Sequence, residues 1–245
     1  MFRLRSLFVF AVAVGLAVSG PAASRTWTGL GDGVRWSDKN NWSPSDFAPR
    51  GGDTVRIASN ATVLLTNTTS WLDSLTVTNA TLTFTNWNTQ LRSTNVLLQN
   101  AGRFTLPAPF TTNAMSNRIS VACVTFTMET GSVVNADSKG FARDHGPGRG
   151  AISFGGQWEG GGGHGGRGGD GPNGAGGNAY DSTNAPWLPG SGGASCYAPN
   201  NWFGGHGGGA IRIAASGAVT LYGLLSADGG NSANASGGGA GGSIW

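Results

Sequence analysis

The chain has 245 residues, of which only 11% are charged, and its formal net charge is +3. Two of the positive charges, Arg3 and Arg5, lie at the extreme N-terminus, so the rest of the chain is close to neutral. Its only lysines are Lys39 and Lys139. No basic tract is present after the first residues, which argues against nucleic acid as a partner.

The N-terminal segment has the three parts of a cleavable secretory signal peptide. Arg3 and Arg5 precede an uncharged run from 7 to 18, and small residues follow up to Ser24. A bilayer-spanning helix needs about 20 apolar residues, so the run is short for an anchor, although an uncleaved anchor stays open as the alternative. We therefore assign residues 1–23 as a signal peptide. The sequence predicts export to the extracellular space or cell surface, with no transmembrane segment after cleavage.

A tryptophan-rich segment follows at 24–57, with Trp27, Trp36 and Trp42 separated by Gly and Asp turns. Large aromatic side chains on turn-rich sequence can cover the open end of an apolar stack of strands. The sequence therefore predicts an N-terminal cap in which these tryptophans have a structural role.

From 58 to 154 the sequence predicts many short β-strands. Each segment places β-branched, aliphatic or aromatic residues at alternate positions, and Asn, Gly or Pro stands in most gaps. The segments are 62–65, 74–79, 81–86, 95–100, 103–106 and 119–128. Helical spacing of apolar residues is missing, so the chain is predicted to be all-β, either a sandwich or a solenoid.

A weak internal repeat favours the solenoid. Residues 124–140 (VTFTMETGSVVNADSKG) and 219–230 (VTLYGLLSADGG) each place a strand that starts with Val-Thr before a second short strand that ends in Ala-Asp. A strand and turn unit that recurs in this way is typical of stacked β-helix rungs. We accordingly predict rungs at 58–154 and again at 210–245.

The tryptophan-rich opening resembles the start of many large bacterial surface proteins, including autotransporter passenger-like and C-terminally sorted exoproteins. Their pattern, WTG..GDG.WSD..NWS followed by P..GDTV.I, is matched between Trp27 and Ile57. The resemblance implies a right-handed parallel β-helix, with β-sandwich as the alternative fold. Such proteins usually continue for many more rungs, whereas this sequence stops at Trp245, so a truncated chain is expected.

Glycine dominates the C-terminal part, where 34 of the 44 glycines lie from Gly146 onward. Residues 155–209 are predicted to form an ordered but irregular excursion. The alternative is a set of polyproline-II-like segments packed side by side, which only glycine permits. The aromatic residues of this tract are the predicted ligand-binding residues: Trp158, Tyr180, Trp187, Tyr197 and Trp202.

Several motifs in this tract resemble catalytic or metal sites, and none is complete. His164 and His206 stand in Gly-His-Gly, which occurs in β-helical glycosidases, but those enzymes require paired carboxylates and no Asp-Asp pair is present. A single GGRGGD ending at Asp170 is one copy of a calcium motif that needs stacked repeats. We predict no catalytic residue, no metal and no cofactor. Cys123 and Cys196 are predicted either to form a disulfide or to lie apart as small buried residues.

The sequence predicts a non-enzymatic structural or adhesive module outside the cell, with glycan binding as a variant. Its partners would be extracellular polysaccharides or cell-surface components. The alternative is a polysaccharide lyase or glycoside hydrolase. That alternative predicts that Asp137, Asp144, Glu159 and His145 cluster on one face. A third possibility, an ice- or mineral-binding surface, ranks last because the threonines are irregularly spaced.

Overall fold

A computed structural model describes residues 22–111, 114–152, 159–196 and 202–245. The predicted signal peptide therefore lies outside the described residues except for its last two positions. Strands and one short 3-10 helix, Lys39–Asn41, are the regular elements of the described part. The strands are β1 Ser24–Trp27, β2 Trp42–Ser43, β3 Thr54–Ile57, β4 Thr62–Leu65, β5 Leu72–Thr78, β6 Thr81–Phe84, β7 Leu91–Gln99, β8 Arg103–Thr105, β9 Ile119–Met128, β10 Val133–Asn135, β11 Ala210–Ala215, β12 Val219–Leu221, β13 Leu224–Ser226 and β14 Ser243–Ile244.

The strands form two sheets, and from β3 to β10 the chain alternates between them. The larger sheet has the order β14-β11-β9-β7-β5-β3-β1-β2, with β12 also pairing with β9, and the smaller has the order β13-β10-β8-β6-β4. All neighbours are parallel except β1 and β2, which are antiparallel. The repeated Ala-Asp segments lie side by side, because Asn135 pairs with Ser226 in register.

The predicted right-handed parallel β-helix is wrong. The described strands make two sheets that do not close into a solenoid, and the arrangement fits the alternative, a β-sandwich-like fold. The physical reason lies in the connections that would have to supply a third face. Residues 66–71, 85–90 and 106–118 hold no strand longer than an isolated bridge among their described positions.

The connections from β3 to β4, from β5 to β6 and from β7 to β8 pass from the larger to the smaller sheet through a stack of tight asparagine turns. Asn60, Asn79 and Asn100 have φ of 58°, 45° and 47°. The amide of Asn60 donates to the carbonyl of Asn79 (2.7 Å), and that of Asn79 donates to the carbonyl of Asn100 (2.9 Å). Asparagine tolerates this left-handed backbone better than most residues, so the Asn punctuation of the sequence fixes where the chain passes from one sheet to the other.

The core lies between the sheets and is built from residues that stack in register. In the larger sheet Val55, Leu75, Val96 and Phe126 are register partners, and all are at most 1% exposed. In the smaller sheet the corresponding row consists of Val63, Leu82, Phe104 and Val134, each fully buried. Apolar positions that alternate with polar ones along each strand therefore all face one interior.

The tryptophan-rich segment covers the N-terminal side of this core. The ring centroids of Trp27 and Trp36 lie 5.0 and 4.9 Å from that of Trp42. Trp42 is 1% exposed, and its Nε1 donates to the carbonyl of Trp36 (2.8 Å). The amide of Trp36 donates to the carbonyl of Leu64 (2.9 Å), so the segment also covers the free edge of β4.

The glycine-rich part forms a second layer, which we call the glycine bundle: segments 140–151, 159–164, 168–178, 190–196, 204–209, 227–230 and 235–242. These segments contain no assigned strand and are joined by backbone hydrogen bonds. Backbone amides that donate to the same neighbouring segment are three residues apart in the chain. Gly190 and Gly193 donate to Gly208 and Gly205, and the amides at 205 and 208 donate to the carbonyls at 237 and 240. A spacing of three is the period of a polyproline-II-like helix.

Only glycine allows this packing, because a Cβ would enter the neighbouring backbone. At Gly207 a Cβ would lie 1.8 Å from the carbonyl oxygen of Gly190, and at Gly177 it would lie 1.8 Å from that of Gly148. At Gly237 the distance to the carbonyl oxygen of Gly160 would be 1.9 Å. The described segments of the glycine bundle therefore form a hydrogen-bonded array, which also includes residues before 155 and after 209.

The two cysteines are buried, and the structure does not join them in a disulfide. Cys123 lies on β9 in the sheet core, whereas Cys196 lies in the glycine bundle. Burial raises the pKa of the Cys123 thiol to about 11. Of the two alternatives that the sequence left open, the structure shows separate buried residues.

Candidate functional site

Two exposed tryptophans flank an arginine at one end of the larger sheet. Trp187, Arg212 and Trp245, together with Ala185, line a cleft of about 300 Å³. Trp187 is 49% exposed and Trp245 is 51% exposed, so each presents a large part of its ring to solvent. Indole rings in such positions offer an apolar face and an N–H donor to a ligand.

A further tryptophan and a second arginine extend this cleft. The ring centroids of Trp87 and Trp187 are 6.1 Å apart with an angle of 63° between the planes. The guanidinium carbon of Arg118 lies 4.9 Å from the centroid of the Trp87 ring, within the range of a cation–π contact. We call the set Trp87, Arg118, Trp187, Arg212 and Trp245 the aromatic–arginine surface.

Strand register places the sheet-borne members of this surface together. Arg212 on β11 is the register partner of Ser120 on β9. On its other side, Trp245 is held opposite Arg212, because its amide donates to Ile211 (3.0 Å) and its carbonyl accepts from Ile213 (2.9 Å). Arg118 lies two residues before Ser120, and residues two apart in extended chain share a face. Arg118, just before β9, and Arg212 on β11 are therefore expected on the same side of the sheet.

The loop that carries Trp187 is held by a buried carboxylate. The Oδ2 of Asp181 accepts hydrogen bonds from the amides of Trp187 (2.9 Å) and Leu188 (2.8 Å) and contacts His164 Nε2 (3.0 Å). The hydroxyl of Ser243, the first residue of β14, donates to the carbonyl of Leu188. Burial acts to raise the pKa of Asp181, but the amide donors and His164 outweigh it and lower the pKa below its ordinary value. His164 thus helps to orient the tryptophan.

A second cleft, of about 330 Å³, surrounds two histidines where the glycine bundle meets the loop after β8. We call it the histidine cleft. Its lining includes one carboxylate and an arginine that stacks on an aromatic ring: the Cζ of Arg143 lies 4.1 Å from the Phe203 ring centroid. The chemically important lining residues are Arg143, Asp144, His145, Phe203 and His206.

Hydrogen bonds indicate which nitrogen of each neutral histidine ring carries the hydrogen. His145 Nδ1 lies 2.7 Å from the carbonyl oxygen of Arg143, and since a carbonyl only accepts, Nδ1 carries the hydrogen and a neutral ring keeps its lone pair on Nε2. His206 Nδ1 accepts from the amide of Arg143 (3.0 Å), which leaves Nε2–H as a donor. Burial, followed by the charge of Arg143, lowers the pKa of His206. For neutral rings, the cleft is therefore lined by one histidine whose Nε2 can accept a hydrogen bond and one whose Nε2–H can donate.

The structure separates the residues that the sequence proposed for binding. Trp187 lies on the aromatic–arginine surface. Tyr180 is largely buried, its hydroxyl donates to the Pro189 carbonyl, and burial raises its pKa to about 12. The carbonyl of Trp202 accepts hydrogen bonds from Cys196 and Ser236. Trp158 and Tyr197 lie outside the described residues.

The four titratable residues of the enzyme hypothesis do not all meet. Asp144 and His145 line the histidine cleft, but both oxygens of Asp144 accept from Ser195, at 2.6 Å from its amide and 2.7 Å from its hydroxyl. Asp137 lies in the smaller-sheet stack, where it accepts from the amide of Asp228 (2.7 Å). Glu159 is 4% exposed beside Gly174 of the bundle.

Trp87, Arg118, Arg212 and Trp245 were missed as site residues. They lie at 87, 118, 212 and 245 in the chain, and only parallel strand register brings them together. A single sequence carries no signal for that proximity.

No group of three or more His, Cys, Asp or Glu side chains suited to a metal ion occurs within the described ranges. The calcium-motif residue Asp170 pairs with Arg167, at 2.8 Å from Nη1, and accepts the amide of Gly176 (2.6 Å). Its carboxylate is therefore used within the fold. Across the same part of the chain, no helix has the length and apolar character needed to cross a membrane.

Residues 36–146 match the family profile of the G8 domain. The match runs from the second tryptophan of the cap through β10 into the first segment of the glycine bundle, a little under half of the chain. No curated protein and no solved structure shows significant similarity to the chain. The segment 36–146 is thus similar to a G8 domain, and most of the glycine bundle and the strands β11 to β14 lie beyond it.

Proposed function

We propose that this protein is exported and binds polysaccharide outside the cell through the aromatic–arginine surface. The observation that carries the proposal is the pair of half-exposed tryptophans, Trp187 and Trp245, that face one cleft with Arg212 between them. Export is supported by the signal-like N-terminus of the sequence. An exposed hydrophobic cleft with a few polar groups is a common form of ligand site.

The chemistry of the cleft suits a sugar. A pyranose ring has an apolar face of C–H groups that stacks on an indole, and its hydroxyls pair with guanidinium and indole N–H donors. Both tryptophans are held in place, Trp245 by the sheet and Trp187 by Asp181, so little conformational entropy is lost on binding. A central aromatic residue in a binding site typically contributes about 2 kcal/mol or more.

Retention of the full chain on immobilised polysaccharides tests the proposal. Trp187→Ala and Trp245→Ala should each weaken binding by roughly tenfold to thirtyfold, the equivalent of about 1.4–2 kcal/mol. Tyr222→Ala is the matched control, because Tyr222 is 72% exposed but follows β12, whose partners lie at the far end of β9. Equal retention of all four proteins, or no retention on any polysaccharide, would remove the proposal.

A second candidate, cleavage of uronic-acid polysaccharide, is favoured by the histidine cleft. Glycoside hydrolysis ordinarily requires two carboxyl groups, and the described lining offers only Asp144, which is bonded to Ser195. Eliminative cleavage instead requires a base and an acid. His145 Nε2 would take the hydrogen next to the sugar carboxylate while Arg143 holds that carboxylate. His206 Nε2–H would protonate the leaving oxygen as the glycosidic C–O bond breaks and a carbon–carbon double bond forms.

The ultraviolet absorbance of an unsaturated sugar product tests this candidate directly. The full chain is incubated with polygalacturonate and with alginate, alongside His145→Gln. Product from the wild type and none from the variant supports cleavage. Lack of absorbance with either polymer, while the protein still binds polysaccharide, would leave the binding function and dismiss the enzyme.

A further inference from the structure

The aromatic–arginine surface carries two arginines, Arg118 and Arg212. Among the described residues, ion pairs involve Arg25, Arg35, His164 and Arg167, and none includes Arg118 or Arg212. The Nε of Arg118 is buried and has no hydrogen-bond partner. A buried guanidinium N–H without an acceptor is unfavourable, and native structures contain few of them.

The two cations also repel one another. The pKa of Arg118 is lowered, first by burial and then by the charge of Arg212. Strand register explains the proximity, since Arg212 on β11 pairs with Ser120 on β9 and Arg118 lies two residues before Ser120. Two like charges held together without a counter-charge are a local cost that an anion bound between them would relieve.

We propose that the aromatic–arginine surface is specific for acidic sugars, with the anionic substituent bound between Arg118 and Arg212. This inference rests on the proposed polysaccharide binding and names its substrate class. Guanidinium groups bind carboxylate and sulfate oxygens through paired N–H donors. Trp187 and Trp245 then stack on the ring that carries the anion, and the Nε of Arg118 gains the acceptor that the fold does not supply.

The shared chemistry is a fixed anion on a sugar ring, and both a uronate carboxylate and a sulfate ester provide it. Calorimetry on the full chain separates these sources with three oligomers of equal length. The first is an oligogalacturonate, the second a neutral galactan oligomer, and the third a sulfated form of that neutral oligomer. At least one charged oligomer should bind about tenfold or more tighter than the neutral one, and its affinity should fall as salt is raised.

Variants assign the effect to the two arginines. Arg212→Gln and Arg118→Gln should each remove most of the preference for the charged oligomer, so that the ratio of the charged to the neutral affinity falls toward one. Arg56→Gln is the control with the same change of net charge, because Arg56 is exposed on β3, which two strands separate from β9. Arg212 is exposed on β11, so its variant should fold.

The outcomes distinguish this inference from the function on which it rests. Tight binding of the neutral oligomer, equal to that of the charged ones, would overturn the acidic specificity but keep polysaccharide binding. Failure to bind any of the three would overturn both. Thermal stabilisation by inorganic sulfate equal to that by the acidic oligomers would also overturn the inference, because the sugar would then contribute nothing.

Discussion

Replacing one inward glycine of the glycine bundle by alanine should destabilise the whole protein. A Cβ on Gly207 would lie 1.8 Å from the carbonyl oxygen of Gly190 and 2.3 Å from its carbonyl carbon. Real Cβ contacts do not come closer than 3.0 Å, so the two segments must separate by more than 1 Å. The separation strains neighbouring bonds, among them Gly207 to Phe141 (2.8 Å) and Gly190 to Gly208 (2.8 Å).

The expected loss follows from those contacts. Overpacking costs about 1–3 kcal/mol, and each buried amide left without a partner costs about 1–3 kcal/mol more. A total near 3 kcal/mol or above is a large part of the ordinary 5–15 kcal/mol of folding stability. For a domain of this size each kcal/mol lowers Tm by roughly 2–4 °C, so Gly207→Ala should lose about 6–12 °C.

Thermal unfolding followed by circular dichroism measures the effect, with Gly169→Ala as the matched control. Gly169 lies in the same bundle, but a Cβ there meets nothing within 4 Å, and its φ is not in the left-handed region. Its alanine variant should stay within about 0.5 kcal/mol of the wild type. Equal Tm values for the two variants would contradict this prediction, since the bundle would then not be closely packed.

Three further outcomes follow from buried groups. Without reductant, Ellman's reagent should find two thiols after denaturation, whereas a disulfide between the two cysteines would leave no thiol to react. In the native protein at pH 8 the reagent should react slowly with Cys123, because the pKa of its thiol is about 11. Asp181→Asn should weaken polysaccharide binding as much as Trp187→Ala does, and unchanged binding would show that the loop does not belong to the site. The folded pKa of Asp181 is lowered, so the stability of the wild type should fall as the pH drops below the ordinary aspartate pKa. The pKa of His206 is also lowered, so as the pH falls the unfolded chain binds a proton at this residue before the folded protein does. Stability should therefore drop as the pH falls below about 6.5, and it should drop less steeply in His206→Asn. Urea unfolding midpoints measured across pH 5–8 would show the difference.

Local patterns in the sequence predicted the strands well, but they did not predict whether the sheets close into a solenoid. Alternation identified the residues that face the core, such as Leu75 and Phe104, because a period of two depends only on nearest neighbours along the strand. The asparagines at the turns marked one corner of each repeat. Whether the opposite connections form a third sheet depends on how 66–71, 85–90 and 106–118 pack, and alternation says nothing about that. The β-helix prediction failed at this step.

Of the residues on the aromatic–arginine surface, only Trp187 could be predicted from the sequence. Trp187 stands among Asp, Asn and Pro residues, where an aromatic side chain has no strand to pack in, so its sequence context indicates exposure. Arg118 and Arg212 look like ordinary outward strand residues. Their missing counter-charges become visible only when register places them side by side.

The glycine bundle and the aromatic–arginine surface are mechanically connected. The loop with Trp187 leaves the bundle after segment 168–178 and rejoins it at Gly190, whose amide donates to Gly208 (2.8 Å). Trp245 instead is fixed to the sheet through Ile211 and Ile213. The spacing between the two indole rings is therefore set by how the bundle packs on the sheet. Because close-packed glycine backbones leave little room to shift, we expect the bundle to restrict movement of the loop that carries Trp187.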